Sequence, residues 1–215
     1  MSARVKICGI NTAEAMAAAL EARADLVGLV FFPPSPRSVT LEEAAPLADY
    51  ARGNAAIVAL VVDADDTLID HIVTAINPDL LQLHGNETPE RAAAIRDRFG
   101  KPVMKAIKVA TREDAMSALA YREVVDLVLF DAKPPKDADR PGGHGVAFDW
   151  SLLADVRGTI AFMLSGGLTP INVADAVHAT GATVVDVSSG VESAPGVKDP
   201  GLIRAFIRAA KGTPT

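Results

Sequence analysis

One pattern constrains this chain more than any other. Short β-branched or leucine-rich runs alternate with longer alanine-rich amphipathic runs from one end to the other. RVKICG precedes NTAEAMAAALEARA, DLVGLVFF precedes TLEEAAPLADYARG, and AAIVALVVD precedes DDTLIDHIVTAI. DLLQLHG leads to TPERAAAIRDRFG, PVMKAIKV to TREDAMSALAYR, and VVDLVLFDA through a loop to FDWSLLADV. TIAFMLSGG with TPINVADAVHATG, and TVVDVSSG with DPGLIRAFIRAAKG, complete the series. That makes about eight strand–helix units, the number that closes a parallel barrel. The expected fold is α/β, a (β/α)8 TIM barrel over residues 1–215 in one domain, since no linker or composition break divides the chain. An open doubly wound sheet has the same alternation, but no G-x-G-x-x-G follows the first strand. Helix starts are signalled locally. Thr40 with Glu43 and Thr111 with Asp114 resemble caps, and Pro170 and Pro200 stand where first helical residues are expected after Thr169 and Asp199.

With 215 residues, 49% apolar and 22% charged, the chain can bury a substantial core. Its single cysteine, Cys8, excludes an internal disulfide. No apolar run is long enough to span a bilayer, and no signal-peptide pattern precedes Val5, so a cytoplasmic protein is the simplest reading. A net charge of −6 without a basic cluster argues against nucleic-acid or anionic-membrane partners. A small anionic ligand remains compatible, because helix N-termini can hold a phosphate locally. His71, His84, His144 and His178 lack metal-ligand spacing, so no metal site is expected.

Side chains alternate across a strand, which sets Lys6 and Cys8 on one face of RVKIC and the apolar Val5 and Ile7 on the other. Covering helices take the apolar face, so Lys6 and Cys8 should point into the barrel, with Cys8 nearest the C-terminal mouth where such barrels carry their chemistry. The same alternation puts Gln82 with His84, and Asp131 with Val125, Leu127 and Leu129. Asp186 has an equivalent place on the last strand. Each has a bland alternative: a small buried thiol, a hydrogen-bonded histidine, a turn aspartate. A buried lysine needs a partner, and several polar groups converging on one mouth favour a site. Lys6 has two open accounts, lowering the Cys8 thiol or pairing with an acid such as Asp186.

After the last two predicted strands come LSGGLTPINV and DVSSGVE. Gly166 and Gly167 would let backbone N–H groups approach an anion, and Ser188, Ser189 and Gly190 could begin a short helix aimed at it. Two such segments in consecutive loops read as a phosphate grip rather than as plain turns.

These motifs occur together with FFPPSPRSV, LFDAK, PGGHGVAFDW and VVDVSSGVESAPGVKD, and in that company the chain resembles the phosphoribosylanthranilate isomerase family over its whole length. Indole-glycerol-phosphate synthases share the glycine segments but not K-I-C-G. The resemblance implies a cofactor-free Amadori rearrangement, with Cys8 as general base and Asp131 as general acid. It gives Arg37 to the anthranilate carboxylate and Gly166, Gly167, Ser188, Ser189 and Gly190 to the phosphate. Lys6, His84 and Asp186 are expected in the site wall. It also implies a small-molecule substrate and a monomer or homodimer. The acid must hold its proton near neutrality, and the thiol, ordinarily near pKa 8.5, works as a base only as thiolate. CGINTAE departs from the family's usual threonine straight after the isoleucine, and Pro34 stands where a small or basic residue is common. A related isomerase of another aminosugar phosphate and a non-catalytic phosphate-ligand sensor are the competing readings. KPPKDADRPGGHG, after Asp131, reads equally as a lid or as surface decoration.

Overall fold

The computed structural model describes residues 2–133 and 147–212. Its eight barrel strands are β1 (Arg4–Cys8), β2 (Leu26–Phe31), β3 (Ala56–Val61), β4 (Leu80–Leu83), β5 (Val103–Val109), β6 (Leu127–Ala132), β7 (Phe162–Leu164) and β8 (Val184–Val187). They pair in chain order, all parallel, and β8 closes on β1. The helices that return the chain are α1 (Ala13–Glu21), α2 (Leu41–Ala51), α3 (Asp66–Ile76), α4 (Pro89–Phe99), α5 (Arg112–Met116), α6 (Val173–Thr180) and α7 (Pro200–Lys211). Between β6 and β7 the described return is a 3-10 turn, Trp150–Leu153, rather than the helix expected from FDWSLLADV. A two-stranded hairpin, β9 (Glu192–Ala194) with β10 (Val197–Lys198), follows β8.

An Asp-Leu pair opens β2, β4 and β6, and its chemistry explains how the floor of the barrel is set. Asp25, Asp79 and Asp126 each accept a backbone N–H from the preceding strand, at Val5 (2.8 Å), Ile57 (2.7 Å) and Val103 (2.8 Å). Each also donates its own N–H back to that residue's carbonyl, at 2.8–2.9 Å. The clamp fixes the start of β1/β2, β3/β4 and β5/β6, while the leucines that follow pack with Val58, Met104, Ala106, Leu129 and Met163 inside the floor. The outward residues, among them Val5, Ile7, Val27, Leu29, Leu81 and Leu83, join the helices in a second apolar layer. Each large side chain buried there contributes about 1.5–3 kcal/mol. Val125 belongs to that outer layer and precedes β6, so it does not share the inward face with Asp131 as the alternation suggested.

The Thr40–Glu43 and Thr111–Asp114 capping boxes are both formed, and Pro200 is the first residue of α7 behind the Asp199 cap. Pro170 is not a helix start. Asn172 accepts the Thr169 N–H at 2.7 Å and donates to the Gly167 carbonyl at 3.0 Å, which makes 169–172 a side-chain-pinned turn and delays α6 to Val173. Of the loop read as a lid, residues 134–145 lie outside the described residues, as does His144.

Candidate active site

Cys8 and Asp131 stand near the C-terminal ends of β1 and β6, buried among inward-facing residues. Cys8 packs with Val30 and Leu60 at the mouth. Below it, Lys6 is fully buried and donates to Asp186 Oδ1 at 2.9 Å and to Gln82 Oε1 at 2.8 Å. Ser165 donates to the second Asp186 oxygen at 3.1 Å. Burial works against the ammonium, but attraction to Asp186, helped by Cys8, outweighs it and raises Lys6 above its ordinary value. Both accounts of Lys6 are therefore present in part. It is paired with Asp186, and it also pulls the Cys8 thiol down, as does Lys198. Burial is the larger influence on Cys8, however, and the thiol is pushed up overall.

The polar chain continues across the barrel. Gln82 Nε2 lies 2.9 Å from His84 Nδ1, and His84 Nε2 lies 3.3 Å from Asp131 Oδ2. The other Asp131 oxygen accepts the Ala132 N–H at 2.9 Å. His84 opens a loop braced from beneath by Lys105, whose ammonium donates to Glu87 Oε2 (2.9 Å) and the Gly85 carbonyl (2.8 Å). Glu87 in turn accepts the Asp63 and Gly85 N–H groups.

Arg37 reaches the Cys8 side because Gly9 has no side chain. Gly9 is at φ +76°, and a Cβ there would lie 2.6 Å from Arg37 Cδ. This is the structural demand behind the glycine of K-I-C-G. Arg37 Nε and Nη2 donate to the two Glu192 oxygens at 2.7 and 2.8 Å. Lys198 donates to Glu192 Oε1 at 2.7 Å and to both Ser188 oxygens, at 3.0 Å (carbonyl) and 3.1 Å (hydroxyl). Burial alone would raise Glu192, but the hydrogen bond from Arg37 and the Lys198 charge hold it down to about 2. Burial lowers Lys198 despite Glu192's opposing pull.

The two glycine-containing loops are in contact. Gly190 packs against the Leu168 carbonyl, and Gly166, at φ +85°, lies against the Ala132 backbone with no space for a Cβ. Ser189–Val191 forms a short 3-10 turn, and the Ser188 hydroxyl donates to the Cys8 carbonyl at 3.1 Å. The structure thus brings Lys6, Cys8 and Asp186 together, His84 onto Asp131, and Arg37 beside Ser188 through Glu192 and Lys198. Sequence reasoning did not identify Glu192 and Lys198, although the short runs flanking S-A-P-G carried a hairpin signal. It also passed over Gly28, an isolated strand glycine whose missing Cβ would lie 3.0 Å from Cys8 Sγ. Among the described residues no group of three or more His, Cys, Asp or Glu is placed to hold a metal ion.

Residues 5–209 match the family model of N-(5'-phosphoribosyl)anthranilate isomerase. A curated isomerase of that name from Rhodopseudomonas palustris (strain BisA53) is 61% identical over 209 residues, 97% of this chain and 96% of its own length. The crystal structure of phosphoribosylanthranilate isomerase from Thermotoga maritima superposes with a TM-score of 0.89 at 38% identity, covering 98% of this chain and 99% of that one. A phosphoribosylanthranilate isomerase solved in complex with reduced 1-(o-carboxyphenylamino)-1-deoxyribulose 5-phosphate gives 0.86 at 36% identity, with the same coverage. The barrel, the ordered motifs and these matches agree: the chain belongs to the N-(5'-phosphoribosyl)anthranilate isomerase family.

Proposed function

We propose that the chain carries out its family's isomerisation of N-(5'-phosphoribosyl)anthranilate, a step of tryptophan biosynthesis, by general acid–base catalysis within one barrel domain. Asp131 protonates the ribose ring oxygen, and the ring opens as the anthranilate nitrogen forms a Schiff base. Cys8, as thiolate, removes the proton from the second sugar carbon. The resulting enolamine tautomerises to the ketone, 1-(2-carboxyphenylamino)-1-deoxyribulose 5-phosphate. The rearrangement is redox-neutral and needs only proton transfers.

The observation that carries this division of labour is the contrast between the surroundings of Cys8 and of Asp131 at the barrel mouth. Cys8 has two cations within electrostatic reach, Lys6 and Lys198, which draw its thiol down although burial and Asp186 keep it raised overall. Asp131 accepts the Ala132 N–H on one oxygen and has His84 Nε2 3.3 Å from the other, groups placed to stabilise the carboxylate left after proton donation. Arg37 uses its Nε and Nη2 on Glu192, which leaves Nη1 for the substrate carboxylate. The loops at Gly166–Gly167 and Ser188–Gly190 hold the phosphate, anchoring the unreactive end so that both proton-transfer groups meet the right atoms. All these side chains come from one chain, so the reading serves a monomer or a homodimer alike. The substrate and its pathway suit a cytoplasmic enzyme.

A fluorescence assay of phosphoribosylanthranilate consumption tests this. Cys8→Ser and Asp131→Asn should each lower turnover by roughly 10²–10⁴. Near-wild-type turnover in either variant would sink the assignment. Arg37→Ala should chiefly raise KM, and an unchanged KM would remove Arg37 from substrate binding.

A further inference from the structure

Five side chains from four strands and their ends, Ser165, Asp186, Lys6, Gln82 and His84, form one buried chain of hydrogen bonds through the barrel, and it ends with His84 Nε2 facing Asp131 Oδ2 at 3.3 Å. Its proton sense follows from donor and acceptor chemistry alone. A lysine ammonium can only donate, so the Gln82 atom 2.8 Å from Lys6 Nζ must be the carbonyl oxygen. The opposite end of that amide is then NH2, which can only donate. His84 Nδ1, 2.9 Å away, must therefore accept and carry no proton. A neutral imidazole holds its one proton on the other nitrogen, Nε2, which faces Asp131 Oδ2 at 3.3 Å. Reversing the amide would set an NH2 group against an ammonium with no water to intervene, since Lys6 and Gln82 are both 0% exposed.

We infer that Gln82 is a positioning residue that, oriented by Lys6, holds His84 with its proton on Nε2 and so supplies Asp131 with a fixed donor. This deepens the reading of Asp131 as the acid and rests on it. The Ala132 N–H occupies one lone pair of the carboxyl group, and His84 Nε2–H faces the other oxygen at 3.3 Å. The acidic proton is left to a remaining lone pair, free to meet the substrate. When that proton departs, the Ala132 N–H is already in place for the new carboxylate, and His84 Nε2–H stands beside it to be drawn in. The Lys6–Asp186 pair beneath Cys8 thereby sets the geometry of the acid on the far side of the barrel.

The test reads proton position directly, through long-range ¹H–¹⁵N correlation of the histidine rings in ¹⁵N-labelled protein near neutral pH. The His84 signals are assigned by their loss in His84→Gln. The wild-type protein should show Nε2 protonated and Nδ1 bare; a proton on Nδ1, alone or in addition, overturns the inference whatever any variant does. In Gln82→Glu the carboxylate accepts from both Lys6 and His84, so the proton should move to Nδ1. Turnover should then fall about 10–100-fold, the usual scale for groups that orient a reacting side chain, with KM changed less than about threefold. Gln82→Met keeps the volume without either hydrogen bond and should give a mixture of the two tautomers. A purely structural Gln82 would leave His84 protonated on Nε2 in Gln82→Glu, and that result refutes the inference. Failure of Asp131→Asn to lower turnover would instead refute the acid assignment while leaving the tautomer result standing.

Discussion

Replacing Glu192 with glutamine takes a charge out of the hub that joins Arg37 and Lys198, and the consequence can be worked through quantitatively. Its carboxyl group is held from an ordinary 4.5 down to about 2, and its side chain is only 4% exposed, so solvent screens little of the effect. A drop of roughly 2.5 pH units at about 1.4 kcal/mol each corresponds to about 3.5 kcal/mol of folding stability. Because the folded value lies below the unfolded one, that stability is complete above about pH 5.5. It is lost as the pH falls through 4.5 towards 2. Linkage puts the loss between about pH 7 and about pH 3.5 at roughly 1.4 kcal/mol for this group. Glutamine does not titrate, so Glu192→Gln should lack that portion of the acid sensitivity while keeping the contribution of every other carboxylate. Urea unfolding of both proteins at the two pH values measures it. The wild-type protein should lose about 1.4 kcal/mol more than the variant on acidification, although the variant starts less stable at neutral pH. Equal acid losses, within about 0.5 kcal/mol, would refute the argument that Arg37 and Lys198 hold Glu192 ionised.

Three further outcomes follow from particular contacts. Lys105→Met leaves the Glu87 carboxylate buried without its cation, the two side chains being 3% exposed each. It should lower stability by about 3–5 kcal/mol in urea unfolding, and a loss below about 1 kcal/mol would mean that water reaches the pair. Gly28→Ala places a methyl 3.0 Å from Cys8 Sγ and 3.2 Å from Lys6 Cε. Turnover should fall at least about tenfold for a stability loss of about 1–3 kcal/mol; unchanged turnover would mean that the thiol position is not critical. Thr40→Ala removes one half of an exposed capping box, and should cost about 1 kcal/mol of stability with turnover untouched. A turnover change there would indicate that α2 transmits its position to Arg37.

Much of the fold was legible because it is local. Strand and helix periods, caps at Thr40, Thr111 and Asp199, and the alternation that turns Val5 and Ile7 outward all act within a few residues. Where local signals compete, the reading slipped. Pro170 looked like a helix start until the Asn172 side chain was seen to take the Thr169 N–H, and Val125 looked inward-facing although it lies before its strand begins.

The sequence by itself determined the order of eight strand–helix units, the inward direction of Lys6 and Cys8, and the presence of two glycine-containing loops at the closing end. Only the tertiary structure decided which charges meet. Lys6 and Asp186 are 180 residues apart, and Arg37 and Glu192 are 155 apart. Closing β8 onto β1 brings both pairs together. Once they are buried, strong Coulomb attraction and the high penalty for an unpaired charge leave each ion little choice of partner. Neither closure nor burial acts over the short range in which a residue pattern can be read, so the polar chain from Cys8's neighbour Lys6 towards Asp131 exists only in the closed barrel.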